Sequence, residues 1–188
     1  MKKLLFLFLF LPLLTFSQEY IEVVEMPGKT SDQLYSTARE WFAKSFITTD
    51  NSLLMDDRIS GKIIAKGSVH VSEIYVPNGY SLPVTLDWYP NFTIKVSFKN
   101  GRYKNEITDI SITSVALGTS SEITTAFKVF LDKKVYYKNA DTSSGKIKTG
   151  KVAAQNQAIY NLIGKTEIEM KNLLDKLQQE MKKPEAEW

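Results

Sequence analysis

FTIKVSFKNGRYKNEI, residues 92–107, reads as two strands and the turn that joins them. Phe92, Ile94, Val96 and Phe98 alternate with Thr93, Lys95, Ser97 and Lys99, the period-two pattern of a strand with one buried and one wet face. Asn100-Gly101 is the dipeptide most favoured in two-residue hairpin loops. Such a loop fixes the register: Phe98 falls opposite Tyr103, Val96 opposite Asn105 and Ile94 opposite Ile107. Past Ile107 the apolar parity shifts to Ile110 and Ile112, so a bulge is expected near Thr108 or Asp109.

Upstream, Tyr20 to Met26 is a β-rich run closed by the turn signal Pro27-Gly28. Thr30 and Gln33 have the spacing of a capping box, and Asp32 places a negative charge where a helix N-terminus favours it. Leu34, Ala38, Trp41, Phe42 and Phe46 then recur at helical spacing, which predicts a helix over 31–46. Leu53 to Met55 reads as a brief strand before a turn at Ser60-Gly61. Lys62 to Val76 is again β-rich, with Ile63, Ala65, Val69 and Val71 on one parity and Lys66, Ser68, His70 and Ser72 on the other.

Downstream, residues 118–150 show no clean period and read as an undetermined strand and loop region. From Lys151 a helical pattern carries Ile159, Leu162, Ile163, Met170, Leu173, Leu174, Leu177 and Met181 on one side; Gly164 could kink it and Pro184 stops it. The expected plan is strand, helix, four strands, helix, with no internal repeat. That makes a single α+β domain: a core over 18–117, the undetermined region, and a helix over 151–183 packing on the core. Both helices are expected on one face of a five-stranded antiparallel sheet, the other face meeting water or a partner.

Residues 1–17 have the layout of a secretory signal peptide: Lys2 and Lys3, an apolar stretch from Leu4 to Leu14, then small residues at Thr15 and Ser17. The apolar stretch is shorter than the roughly 20 residues a spanning helix needs. Cleavage after Ser17 would leave 22 basic against 21 acidic side chains, so the full chain's +3 falls to +1. Near-neutrality gives no argument for nucleic acid as a partner. The absence of cysteine excludes disulfides, thiol nucleophiles, cysteine zinc sites and a lipoprotein anchor. The mature protein is expected in the periplasm or outside the cell, soluble or peripheral.

Met26 to Lys29, Leu34-Tyr35, Ala38 to Trp41, Gly61 to Gly67 and Gly101 to Tyr103 occur in an order that resembles a family of exported proteins of Gram-negative bacteria. This is domain of unknown function 4468, described as having a TBP-like fold. The resemblance covers roughly residues 20–115 and implies the strand, helix, four strands, helix plan. It implies no activity, substrate, cofactor or catalytic residue.

Motifs that suggest chemistry are weak when weighed singly. Gly145 to Val152 nearly matches a phosphate-binding loop, but Val152 replaces the hydroxyl that would hold magnesium and no clear strand precedes it. His70 is the sole histidine, and the sequence shows no carboxylate partner for it. Asp56 and Asp57 are adjacent, so on a strand they point to opposite faces and suit a turn flank better than an acid–base pair. Ser143 and Lys146 lie in the undetermined region, and the Asn91-Phe92-Thr93 glycosylation sequence is expected to be idle in a bacterium. No catalytic, cofactor or metal residue is assigned.

Two surface constellations remain. If Phe92 to Phe98 face the helices, the opposite sheet face gathers Lys66, His70, Lys95, Lys99, Arg102 and Lys104, relieved only by Glu106. Such a face could hold an anionic partner, although exposed lysines on strands ordinarily serve to block edge pairing. Tyr75, Tyr80, Trp88 and Tyr89 cluster about proline turns and could form an aromatic loop platform for glycan or peptide, or simply pack those turns. The leading expectation is a non-catalytic binding module for an envelope protein, glycan or lipid. The alternative is a carrier gripping a small apolar ligand between sheet and C-terminal helix.

Overall fold

The hairpin forms in the register that its spacing dictates, and the rest of the chain is assembled around it. The computed structural model describes residues 20–46, 53–77, 81–115, 122–132 and 150–183. Residues 1–17, expected to be a signal peptide, Tyr80 and the stretch from Ser143 to Thr149 lie outside the described residues. In chain order the elements are β1 (Tyr20–Glu25), α1 (Ser31–Ser45), β2 (Leu53–Asp57), β3 (Lys62–Ser68), β4 (Val71–Tyr75), β5 (Val84–Lys99), β6 (Arg102–Val115), β7 (Glu122–Ala126), α2 (Phe127–Asp132) and α3 (Gly150–Lys182).

β5 and β6 face each other with Phe98 opposite Tyr103, Val96 opposite Asn105 and Ile94 opposite Ile107. The expected bulge is present. Thr93 faces Thr108, but Asn91 faces Ser111, and Asp109 takes a positive φ of 54°. Aspartate tolerates that region better than most residues do. The extra residue returns Ile110 and Ile112 to the buried face.

The sheet is antiparallel and α+β, as expected, but it has seven strands among the described residues rather than five. The order is β1-β6-β5-β3-β2, with β4 also on β5 and β7 also on β6. Two strands account for the difference: the run from Lys62 to Val76 divides into β3 and β4, and β7 is added. Trp88 and Tyr89, expected beside a proline turn in an aromatic loop, instead lie with Pro90 in the first half of the 16-residue β5. The undetermined region contributes β7, which pairs with Ser111 to Val115. β5 is long enough to take β3 and then β4 on the same side. Pro90 sits at that handover and its carbonyl accepts from the Val69 amide at 3.0 Å, so the proline interrupts the ladder where the ladder changes partner anyway.

At the hairpin tip only Gly101 takes a positive φ, 77°. Asn100 does not; its side-chain oxygen instead accepts from the Ser31 amide at 2.9 Å. Gly101 accepts from the Met26 amide at 2.7 Å and donates to the Lys29 carbonyl at 2.8 Å. Phe98 donates to the Gly61 carbonyl at 2.8 Å. The tip thereby holds the β1–α1 turn and the β2–β3 turn together.

α1 begins with the predicted capping box, Thr30 accepting from the Gln33 amide and Gln33 accepting from the Thr30 amide. It buries Leu34, Tyr35, Ala38, Trp41 and Phe42 against the sheet. β3 makes room for this bulk by stepping down in size from Ile63 through Ala65 to Gly67 on its buried face. Gly67 lies opposite Phe92 in register, and Phe46 covers the same spot; a Cβ there would come within 2.4 Å of the Phe46 ring and 2.6 Å of the Phe92 ring. α3 runs unbroken through Gly164 and buries Leu162, Ile163, Met170, Leu174, Leu177 and Met181, so its distal half packs within the domain. Lys29 donates to the carbonyls of Met181 and Lys183, satisfying acceptors at the α3 C-terminus. α2 lies on the same side, with Phe130 tilted against Trp88 at 4.6 Å.

Gly67→Ala is expected to destabilise the protein by about 1–3 kcal/mol, the cost of overpacking a filled core. Urea unfolding checks it: an unchanged midpoint would show that the rings move aside freely.

Candidate functional site

Because β5 keeps one parity from Leu86 to Phe98, the residues between them form a continuous second face. Asp87, Tyr89, Asn91, Thr93, Lys95, Ser97 and Lys99 point away from the helices. Beside them in register stand Arg102, Lys104 and Glu106 of β6, Ile21, Val23 and Glu25 of β1, and Ile64 and Lys66 of β3. All six expected basic-face residues, Lys66, His70, Lys95, Lys99, Arg102 and Lys104, are on this open face.

The face is less bare of negative charge than the sequence suggested. Glu106 sits opposite Lys95 and takes both Lys95 and Lys104, each at 2.9 Å. Hydrogen bonds from Lys104 and then Lys95 hold the Glu106 carboxyl below the ordinary glutamate range, burial working in the other direction. Glu25 of β1 lies 4.0 Å from Arg102. Lys66 and Lys99 have no ion pair among the described residues.

His70 has the carboxylate partner that the sequence did not reveal. Its Nε2 lies 2.7 Å from Asp87 Oδ1, and its ring stacks on Tyr89 with centroids 4.9 Å apart. The arrangement follows from β4 pairing with β5, which brings the start of β4 beside residues 87–89. Asn91 extends the polar row by donating to Thr113 at 3.0 Å.

The aromatic platform does not form among the described residues. Trp88 is only 4% exposed, since strand alternation turns it into the core while its neighbour Tyr89 faces outward. Tyr75 pairs with Val84 on the parity of Val71 and Glu73, which is the helix side.

The helix side carries its own polar ties. Asp56, read as a turn flank, accepts from the Tyr35 hydroxyl and from Arg39 Nε at 2.7 Å. Burial pushes this carboxyl up, but the bonds from Tyr35 and Arg39 outweigh it and leave it below its ordinary value. Glu73 accepts from Asn161 at 2.7 Å and pairs with Lys165 at 2.6 Å, which fastens α3 to β4. The interior between sheet and helices is occupied by one cluster of buried side chains, Ile94, Val96, Ile107, Met170, Leu177 and Met181 among them. Among the described residues no helix is long and apolar enough to cross a membrane.

With this geometry in view, likeness to known proteins is informative. Residues 20–113 match the family described as a domain of unknown function (DUF4468) with TBP-like fold. The chain belongs to that family. Two solved structures share the fold: a TBP-like protein from Parabacteroides distasonis, at 16% identity and TM-score 0.52 over 90% of this chain and 95% of that one, and a DUF4468 family protein from Bacteroides ovatus, at 15% identity and TM-score 0.51 over 90% and 89%. At such identities the likeness speaks for the fold alone. No curated protein matches the chain. The residues that carried the family resemblance are largely those of the tip junction and the Gly67 contact, so they mark architecture rather than chemistry.

Glu106 gives this face a pH signature. Its folded pKa lies below its unfolded value, so its contribution is present above about pH 4.3, the ordinary glutamate pKa, and is lost as pH falls through the folded value. Glu106→Gln is expected to cost about 0.5–1 kcal/mol at neutral pH and to flatten the fall in stability below about pH 4. Parallel acid-unfolding curves for the two proteins would refute this.

Proposed function

We propose that the protein is an exported, non-catalytic binding module that holds its partner on the open face of its sheet. The observation that carries this reading is the one-sided placement of the helices. α1, α2 and α3 all pack on the same side, while the other face presents Lys66, Lys99, Arg102 and Lys104 beside Ile21 and Val23, which are 49% and 54% exposed. Antiparallel sheets often leave one face to water; here that face sets exposed apolar side chains beside cations, an amphipathic surface that suits a partner.

Other features support the same reading. The leader-like residues 1–17 suit export, and a near-neutral mature chain suits a partner other than nucleic acid. His70 and Asp87 have side chains 51% and 37% exposed on an open surface, whereas acid–base chemistry profits from a site that excludes water. The pairing instead orients a polar, aromatic surface made of His70, Tyr89 and Asn91, of the sort that meets a glycan or an envelope protein.

Amine labelling read by mass spectrometry tests the proposal. In the presence of an envelope fraction, Lys66, Lys95, Lys99 and Lys104 are expected to lose at least half their labelling. Lys44, Lys171 and Lys176 on the helix side should label as before. Protection confined to the helix side, or none at all, would refute the open face as the binding surface.

A further inference from the structure

The two ends of the open face differ. Toward the His70 end it is polar and hydrogen-bonded within itself. At the hairpin end Val23, Ser97, Lys99, Arg102, Tyr103 and Lys104 enclose a concavity of about 330 Å³. Its surface is mostly apolar although three of its lining residues are basic, as fits long basic side chains that present an apolar stem beneath a charged head. Ile21, two residues from Val23 on the same face of β1 and beside Glu106 in register, extends the apolar surface along β1.

The charges around this concavity are unbalanced. Lys99, Arg102 and Lys104 contribute three cations. Lys104 shares Glu106 with Lys95, Arg102 meets Glu25 only at 4.0 Å, and Lys99 has no ion pair among the described residues. An arginine fork beside a free ammonium suits a carboxylate or phosphate, which the guanidinium can bind through two parallel hydrogen bonds. The volume lies at the lower end of small-molecule sites.

Resting on the reading of the open face as the binding face, we propose that this concavity takes a small amphipathic anion. Its carboxylate or phosphate head would meet Lys99, Arg102 and Lys104, and its short apolar tail would lie along Val23 and Ile21. Neither half suffices: the head group alone is an exposed ion pair of little worth, and the tail alone finds a floor rimmed by charge.

Calorimetric titration of the full chain with octanoate, octyl phosphate, octyl glucoside and inorganic phosphate, at low salt and below micelle formation, tests it. The two octyl anions are expected to bind saturably, at least tenfold more tightly than the uncharged octyl glucoside or the tailless phosphate. Whichever anion binds more tightly names the head group. Lys99→Gln, at an exposed position where folding should be unaffected, and Val23→Thr should each weaken binding at least threefold, while Lys171→Gln, exposed on the helix side, should not. Equal binding of octyl glucoside, equal binding by the Lys99 and Val23 variants, or no binding of either anion would overturn the proposal. If these titrations fail while the open-face lysines stay protected by an envelope fraction, only the ligand class falls; if that protection is also absent, the open-face reading falls with it.

Discussion

The backbone of Gly101 is the point on which the architecture turns. Its carbonyl and amide hold Met26 and Lys29, so the strand entering the sheet and the helix leaving it are both referred to the hairpin tip. Asn100 adds a bond to the Ser31 amide inside the first turn of α1, and Phe98 adds one to Gly61. These groups belong to turns, which would otherwise have to satisfy their donors and acceptors with water. Joining three turns in one place sets where β1 and β3 begin relative to β5 and β6, and hence where α1 lies. Lys29 carries the arrangement to the other end of the chain by donating to the last carbonyls of α3.

This dependence explains what could be read in advance. The hairpin register, the bulge at Asp109, the capping box at Thr30 and the long amphipathic helix are local: each follows from residues within a few positions of one another. The pairing of β1 with β6 and of β4 with β5 is not local, and no alternation pattern in one strand names its neighbour. Hence Glu25 beside Arg102 and Asp87 beside His70 were invisible. Trp88 and Tyr89 beside Pro90 misled for a related reason. Pro90 and the aromatics look like a loop until β3 ends and β4 takes over at that point, giving the proline a place without a required amide bond. Trp88 then falls on the buried parity, which removed it from the surface.

Counting charges along the sequence also overstates an electrostatic surface. Six basic residues share the open face, yet charge neutralisation is a property of register. Lys95 stands opposite Glu106 because Ile94 stands opposite Ile107, and Lys104 reaches the same carboxylate from two positions away on the same strand. The pairing was thus implicit in the hairpin, but the Arg102–Glu25 approach required β1.

The two faces use their carboxylates to different ends, and this argues for where binding belongs. On the helix side Asp56 and Glu73 each join elements from different layers, α1 to β2 and α3 to β4, so disturbing them would loosen the packing of helix on sheet. On the open face Glu106 and Asp87 join side chains within the sheet itself, whose strands are already held by backbone ladders. A ligand that competes for Lys104 or Arg102 there displaces a partly exposed ion pair of small worth and leaves the layers intact. The open face can therefore exchange its ionic partners at a cost of no more than about 1 kcal/mol and without parting the layers, a freedom the helix side does not have.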